Sequence, residues 1–279
     1  MSSLFEGIRY TATVAEIYDR IQLNYPGSPH SRSGSLWLLR RASEIRSDNR
    51  SAEKMLEKAV AMLAERGHMA GWYNQCPVAS GIVSSSSDRN SAVDLVHCSN
   101  SKREARFIEL KWDSDNPLSA LQQILQYGIA YIFCRVHRRE LPLHYRSLMD
   151  AQQVTLEVVA PRGYYGGSYQ NQFSPSIEAW LNQFESEEES DSATPDRVPS
   201  EISEFLSETN HALRGLARAK TGGALEMSLD ALSFPVSFDE VPFQNGQEVR
   251  QKCSTKMLTD EGRLVRDAFS NLRSVWPDS

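Results

Sequence analysis

An acid and an amine two residues apart can do chemistry together if both leave the same side of a rigid element. Glu109 and Lys111 stand this way in FIELKWD, residues 107–113. In a β-strand, residues two apart share a face. Phe107, Glu109 and Lys111 would then line one side, and Ile108, Leu110 and Trp112 the other. The second side is an ordinary core face. The first is either a solvated ion pair, which contributes little, or half of an active site.

A second acid raises the interest of the first. Asp94 lies in AVDLV, inside the preceding predicted strand, with apolar neighbours on both sides. Two adjacent strands would bring Asp94 near Glu109. Like charges in a half-buried site repel and raise one another's pKa unless a cation neutralises them. Two carboxylates with the Leu110 carbonyl between them are oxygen donors suited to Mg²⁺ or Mn²⁺. Lys111 could hold or polarise a water, or stabilise charge developing on a phosphate.

A third acid could come from a helix. Glu53 and Glu57 are one turn apart and project on one side. Each also has an ordinary role. Glu53 suits a first turn that begins at an N-cap Ser51, and Glu57 suits a solvated pair. Farther on, Gln123 and Tyr127 are four apart, with Tyr131 a turn beyond. Gln123 could bond a catalytic side chain and Tyr127 could reach a phosphate. Their ordinary role is the wet edge of an amphipathic helix.

These residues need elements to position them. Residues 51–66, SAEKMLEKAVAMLAER, have apolar residues at three- and four-residue spacing and stop at Gly67, which predicts a helix. A strand or two follows in 68–83, a flexible connection at 84–91, and strands at 93–98 and 105–112. Pro117 opens a long apolar helix over 117–135, and 154–161 reads as a further strand. Residues 185–201 are acidic and rich in Ser and Pro, a linker composition. Beyond them come a helix near 200–219, a β region around 228–238 and a helix near 259–274. The order predicts an α/β fold with a mixed central sheet flanked by helices. It divides into an N-terminal segment (1–45), a core (46–164), and an acidic linker with a mostly helical C-terminal region (165–279).

The 279 residues, 40% hydrophobic, suffice for one sizeable core with an accessory region. No run of eighteen apolar residues suggests a membrane span, and the N-terminal stretch lacks the pattern of a signal peptide. Cys76, Cys98, Cys134 and Cys253 form no CxxC pair, which argues against a zinc site of that kind and suits free thiols in a cytoplasm. The net charge of −6 speaks against a nucleic-acid partner at first sight. It is unevenly spread, however: residues 1–150 carry 19 Lys/Arg against 16 Asp/Glu, and residues 151–279 carry 11 against 20. Arginine-rich clusters in the first part make phosphate contact feasible.

Glu53 in SAEKMLEKAVAMLAERG, Asp94 in AVDLV, Glu109 and Lys111 in FIELK, and Gln123 and Tyr127 in QILQY follow one another as in the PD-(D/E)XK nuclease superfamily. The opening SAEKMLEK resembles the first helix of archaeal Holliday-junction resolvases, and QxxxY resembles the RecB-like nucleases. The resemblance covers about residues 50–135. It departs at Val93, where many members have proline. It implies a restriction-endonuclease-like core and metal-dependent phosphodiester hydrolysis that leaves a 5′-phosphate. Asp94 and Glu109 would be Mg²⁺ or Mn²⁺ ligands, with the Leu110 carbonyl and Glu53 as further ligands. Lys111 would be the catalytic lysine, Gln123 would orient it or a carboxylate, and Tyr127 would contact the phosphate. The implied partner is nucleic acid, with DNA the first expectation, and the C-terminal region could support a homodimer or a protein partner. The rival expectation is a silent nuclease scaffold serving as a binding subunit of a DNA repair or defence assembly.

Overall fold

The computed structural model describes residues 10–24, 36–44, 51–78, 91–99, 103–112, 117–141, 146–165, 200–234 and 260–275. In chain order the elements are α1 (Tyr10–Asn24), α2 (Ala52–Glu65), β1 (Trp72–Pro77), β2 (Ala92–Ser99), β3 (Glu104–Leu110), α3 (Pro117–Val136), the single turn α4 (Arg146–Met149), β4 (Gln153–Ala160), α5 (Ser200–Thr221), β5 (Glu226–Ser233), α6 (Asp260–Ser270) and the short β6 (Arg273–Ser274). The connection read at 84–91 and the acidic linker at 185–201 lie outside the described residues, apart from Ser91, Ser200 and Glu201.

The six strands form one mixed sheet in the order β1-β2-β3-β4-β5-β6. β1, β2 and β3 run antiparallel in succession, β3, β4 and β5 are parallel, and β6 returns antiparallel to β5. Parallel neighbours need crossovers. α3 lies between β3 and β4 in the chain, and α5 between β4 and β5. Residues of α1, α3 and α5 share a core with one face of the sheet, while α2 and α6 share a second core with the other. A sheet covered on both faces explains the near-continuous apolar run of β4.

Local chemistry fixes the element ends. The Ser51 hydroxyl accepts the Lys54 N–H at 3.2 Å and caps α2. At the other end Gly67 has φ 82°, its N–H bonds the Ala64 carbonyl, and the His68 N–H bonds the Leu63 carbonyl. This paired closure needs a residue that tolerates the left-handed region, so Gly67 stops the helix where the sequence predicts. Between these ends Leu56, Val60 and Leu63 are buried in one cluster with Leu95 and Ile108. β3 ends at Leu110, two residues short of the predicted strand, although the Lys111 N–H still bonds the Val159 carbonyl at 3.0 Å.

Both flanking regions join this core. Residues 36–42 run beside β1: the Trp37 N–H bonds the Pro77 carbonyl at 2.8 Å and the Asn74 N–H bonds the Arg40 carbonyl at 3.0 Å. The Trp37 ring stacks on Phe107 with centroids 5.5 Å apart and meets Tyr131 edge-on at 5.5 Å. On the C-terminal side β5 pairs with β4 over eight residues, and β6 adds to β5. A boundary at 164/165 therefore does not divide the sheet. The described part of 165–279 contributes strands as well as helices, because its apolar alternation has an open sheet edge to complete.

Gly71 closes the β1–β2 end. It has φ 80°, and a Cβ there would lie 2.4 Å from the Cys98 carbonyl oxygen. Gly71→Ala should destabilise the protein by about 1–3 kcal/mol, through the φ penalty and the backbone clash together. The urea unfolding midpoint measures this, and an unchanged midpoint would contradict the close approach.

Candidate functional site

β2 and β3 pair from Ser99↔Glu104 to Leu95↔Ile108. Continuing that register by one residue sets Asp94 beside Glu109. There the link between the strands changes character: Asp94 Oδ2 accepts the Leu110 N–H at 3.1 Å. A carboxylate takes the part of a backbone acceptor, and the two acids stay neighbours. The location is the carboxyl end of the parallel strands β3, β4 and β5, where open α/β sheets leave a crevice for ligands.

Glu109 and Lys111 are not a solvated surface pair. They are 3% and 7% exposed, and Glu109 Oε1 lies 3.2 Å from Lys111 Nζ. Glu109 Oε2 is buried with no hydrogen-bond partner. Burial pushes the Glu109 carboxyl well above the usual carboxylate range, and the Asp94 charge pushes it further; Lys111 and Lys54 offset only part. The site is short of positive charge at Glu109.

α2 and β1 build the next layer. Glu57, 1% exposed, accepts from Asn74 Nδ2 at 2.6 Å, Gln75 Nε2 at 2.8 Å and Lys54 Nζ at 2.6 Å. Lys54 Nζ also reaches Asp94 Oδ1 at 3.2 Å. Burial pulls the Lys54 ammonium down, but Asp94 and Glu57 more than offset it, so it is held above the ordinary lysine range. Gln75 takes part from a left-handed backbone, φ 51°, inside β1. Glu53 has a different place: its Oε1 accepts the Trp112 N–H at 3.0 Å, just beyond the end of β3.

α3 covers the site from the other face of the sheet. Tyr127 is buried, and its hydroxyl is pushed up first by burial and then by the Glu109 charge. That hydroxyl accepts from Gln123 Nε2 at 3.2 Å and also bonds Ser91. Gln123 therefore holds Tyr127, where the sequence leads one to expect its amide on Lys111 or a carboxylate.

The structure thus brings Asp94, Glu109, Lys111 and the Leu110 backbone together, with Glu53 and Tyr127 beside them. Glu57 faces Asn74, Gln75 and Lys54, and shares the Lys54 ammonium with Asp94, while Glu53 binds the backbone just beyond β3. Among the described residues no group of three or more His, Cys, Asp and Glu side chains is set to hold a metal ion. Asp94 and Glu109 form a two-carboxylate set, and Lys54 stands beside Asp94. Lys54, Asn74 and Gln75 were not among the predicted site residues; the signal for the two amides was their adjacency in the otherwise apolar strand WYNQCP.

No protein-family model matches the chain, and neither a curated protein nor a solved structure matches it. Among the described residues no helix is long and apolar enough to cross a membrane.

Two measurements test the electrostatics. With its carboxyl raised in the folded state, Glu109 binds a proton more tightly folded than unfolded, so its contribution to stability falls as pH rises above the ordinary carboxylate range. In chelator, wild-type stability relative to Glu109→Gln should fall between pH 4 and pH 8; a difference independent of pH contradicts a raised Glu109. Separately, Glu57→Ala should cost about 1–3 kcal/mol, because the Asn74 and Gln75 amides lose a buried acceptor. Glu53→Ala should cost less in the same urea titration, and the reverse order would overturn the two placements.

Proposed function

We propose that the protein is a divalent-metal-dependent nuclease with a restriction-endonuclease-like core of the PD-(D/E)XK kind. The observation that carries this reading is the half-buried Asp94 next to the buried Glu109 and Lys111, with one Glu109 oxygen lacking any partner. Burial and the Asp94 charge both act against the Glu109 carboxylate, and Lys111 and Lys54 offset only part of this. Hard oxygen donors with unbalanced negative charge fit a hard dication better than they fit one another. The donors would be Asp94, Glu109 and the Leu110 carbonyl, with Glu53 within the same end of the sheet. Bound there, Mg²⁺ or Mn²⁺ supplies a lowered pKa for water and neutralises charge on the scissile phosphate.

The chain's own groups then have separate tasks. Lys111 donates to a phosphate oxygen and stabilises the charge that grows there as water adds to phosphorus and the bond to the 3′ oxygen breaks. Glu109 holds Lys111 in place and orients the attacking water through its unpartnered oxygen. The Tyr127 hydroxyl, fixed by Gln123 and Ser91, donates to a neighbouring phosphate. α3 and α2 exclude bulk solvent from the two faces of the strand end, which strengthens each of these interactions. The products are a 5′-phosphate and a 3′-hydroxyl, and DNA is the substrate we put first.

One observation favours a second reading. Lys54 Nζ lies 3.2 Å from Asp94 and 2.6 Å from Glu57, so the protein provides a cation of its own at one of the two carboxylates. A scaffold that binds nucleic acid or a partner without cutting would be built this way, as a subunit of a repair or defence assembly.

Purified full-length protein with plasmid, linear and branched DNA in Mg²⁺ or Mn²⁺ decides between them. Asp94→Ala and Lys111→Ala should each lower cleavage by on the order of 10²–10³, and Mn²⁺ should raise the wild-type melting temperature. Equal cleavage by all three proteins would mark a contaminant. Absence of cleavage with no thermal shift in Mn²⁺ would select the binding scaffold.

A further inference from the structure

A cavity of about 740 Å³ opens at the other end of the sheet. Its walls come from the end of β2, the start of β3 and the residues just before β4 and β5, with the C-terminal turn of α3 above them. Along β3, Glu104 and Glu109 are about 16 Å apart at roughly 3.3 Å per residue. The cavity is therefore separate from the carboxylate site, and binding there does not depend on nuclease activity.

Three arginines line it: Arg103, Arg135 and Arg138. Arg135 donates to the Ala151 carbonyl, to the Ala224 carbonyl at 2.9 Å and to the Tyr131 hydroxyl at 3.4 Å. Its partners are all uncharged, so its charge is fixed in place without neutralisation. Arg138 pairs with Asp150 at the rim. Arg103 makes no side-chain ion pair or hydrogen bond among the described residues. Glu104 also borders the space, but it alternates with Ala105 along β3 and points to the side of Arg106. Its charge is felt there at His97.

The backbone of Arg103 is a second observation. Its φ is 54°, a region where a non-glycine residue is disfavoured. The conformation is locked, because the Arg103 carbonyl accepts both the Gln152 N–H at 2.8 Å and the Gln153 N–H at 3.3 Å. A strained residue held by its neighbours is a common device for aiming a side chain at a ligand. Tyr73 completes the wall, with the Arg41 guanidinium 4.7 Å from its ring centroid. Guanidinium groups match phosphate geometry through paired N–H donors, and an aromatic ring offers a base a stacking surface. The volume lies within the range of small-ligand sites.

We propose that this cavity binds a nucleoside monophosphate group, with the phosphate on Arg103, Arg135 and Arg138 and the base against Tyr73. The same group occurs free or as the 5′-terminal nucleotide of a strand, and the test separates the two. Calorimetric titrations in chelator would use AMP, adenosine and a 5′-phosphorylated oligodeoxynucleotide with the full chain. AMP or the oligonucleotide should bind, and adenosine should bind at least about tenfold more weakly. Arg103→Gly, which removes the guanidinium while suiting the backbone, and Arg138→Ala should each weaken binding about tenfold, the scale of one charge-assisted contact. Tighter binding of AMP makes the free nucleotide the ligand, and tighter binding of the oligonucleotide makes it the strand end. Failure of both to bind overturns the proposal. So does binding that Arg103→Gly leaves unchanged and Asp94→Ala abolishes, since it belongs to the other end of the sheet.

Discussion

Holding two carboxylates together at a buried strand end is the constraint on which the rest of this structure depends. Asp94 and Glu109 could not stay close without compensation, because burial and mutual repulsion both favour loss of charge. The protein answers from three directions. Lys111 pairs with Glu109 from the same strand end. Lys54 reaches Asp94 from α2. The Leu110 N–H binds Asp94 from the backbone. The last two tie α2 to β2 and β2 to the end of β3, so the electrostatics of the pair also bear on where α2 and β2 lie.

Compensation of this kind spreads outward. Lys54 can serve Asp94 only because Glu57 holds its other side, and Glu57 can be fully buried only because Asn74 and Gln75 donate to it. Two adjacent strand residues ordinarily point to opposite faces. Both amides reach one carboxylate here because Gln75 adopts φ 51°. The polar network therefore explains a backbone feature that apolar packing alone would not produce. On the opposite face the packing is aromatic: Phe107, Trp37 and Tyr131 form a trio of rings with pairwise centroids between 5.2 and 5.5 Å.

Much of this was legible in the sequence, and what was not has physical causes. Period-2 patterning located β2 and β3, and a three- and four-residue spacing with Ser51 and Gly67 at its ends located α2. The shared face of Glu109 and Lys111 followed from alternation alone. The burial of that face did not, because alternation cannot say whether a helix covers it; here α3 does, and its Gln123 turns to Tyr127. The pairing of β5 with β4 joins residues some seventy positions apart, and a local pattern carries no information about such partners. The part played by Lys54 was hidden for a related reason. Beside Glu57 in a first helical turn it reads as a solvated pair, and only the fold places Asp94 within reach. Trp37 was hidden most deeply, since the short apolar run LWLL at 36–39 has no period that says which of its residues will fill the centre of a core.

The three non-glycine residues with left-handed φ show how the fold supports local strain. Trp37, Gln75 and Arg103 have φ of 58°, 51° and 54°, and each such residue costs on the order of 1–3 kcal/mol. None is left to relax. The Trp37 N–H is bound to Pro77 and its ring is enclosed by Phe107 and Tyr131. The Gln75 carbonyl accepts from Arg40 Nε at 3.1 Å while its amide serves Glu57. The Arg103 carbonyl takes two N–H groups from the start of β4. In each case a segment distant in sequence supplies the restraint, so the strain persists only in the assembled fold. Gln75 borders the carboxylate end of the sheet and Arg103 the arginine end, while Trp37 lies in the core between them. A chain that needed only a turn at those two outer positions would be served better by glycine. An amide aimed at Glu57 and a guanidinium aimed into a cavity are functions that glycine lacks, and they account for the strain at both ends of the sheet.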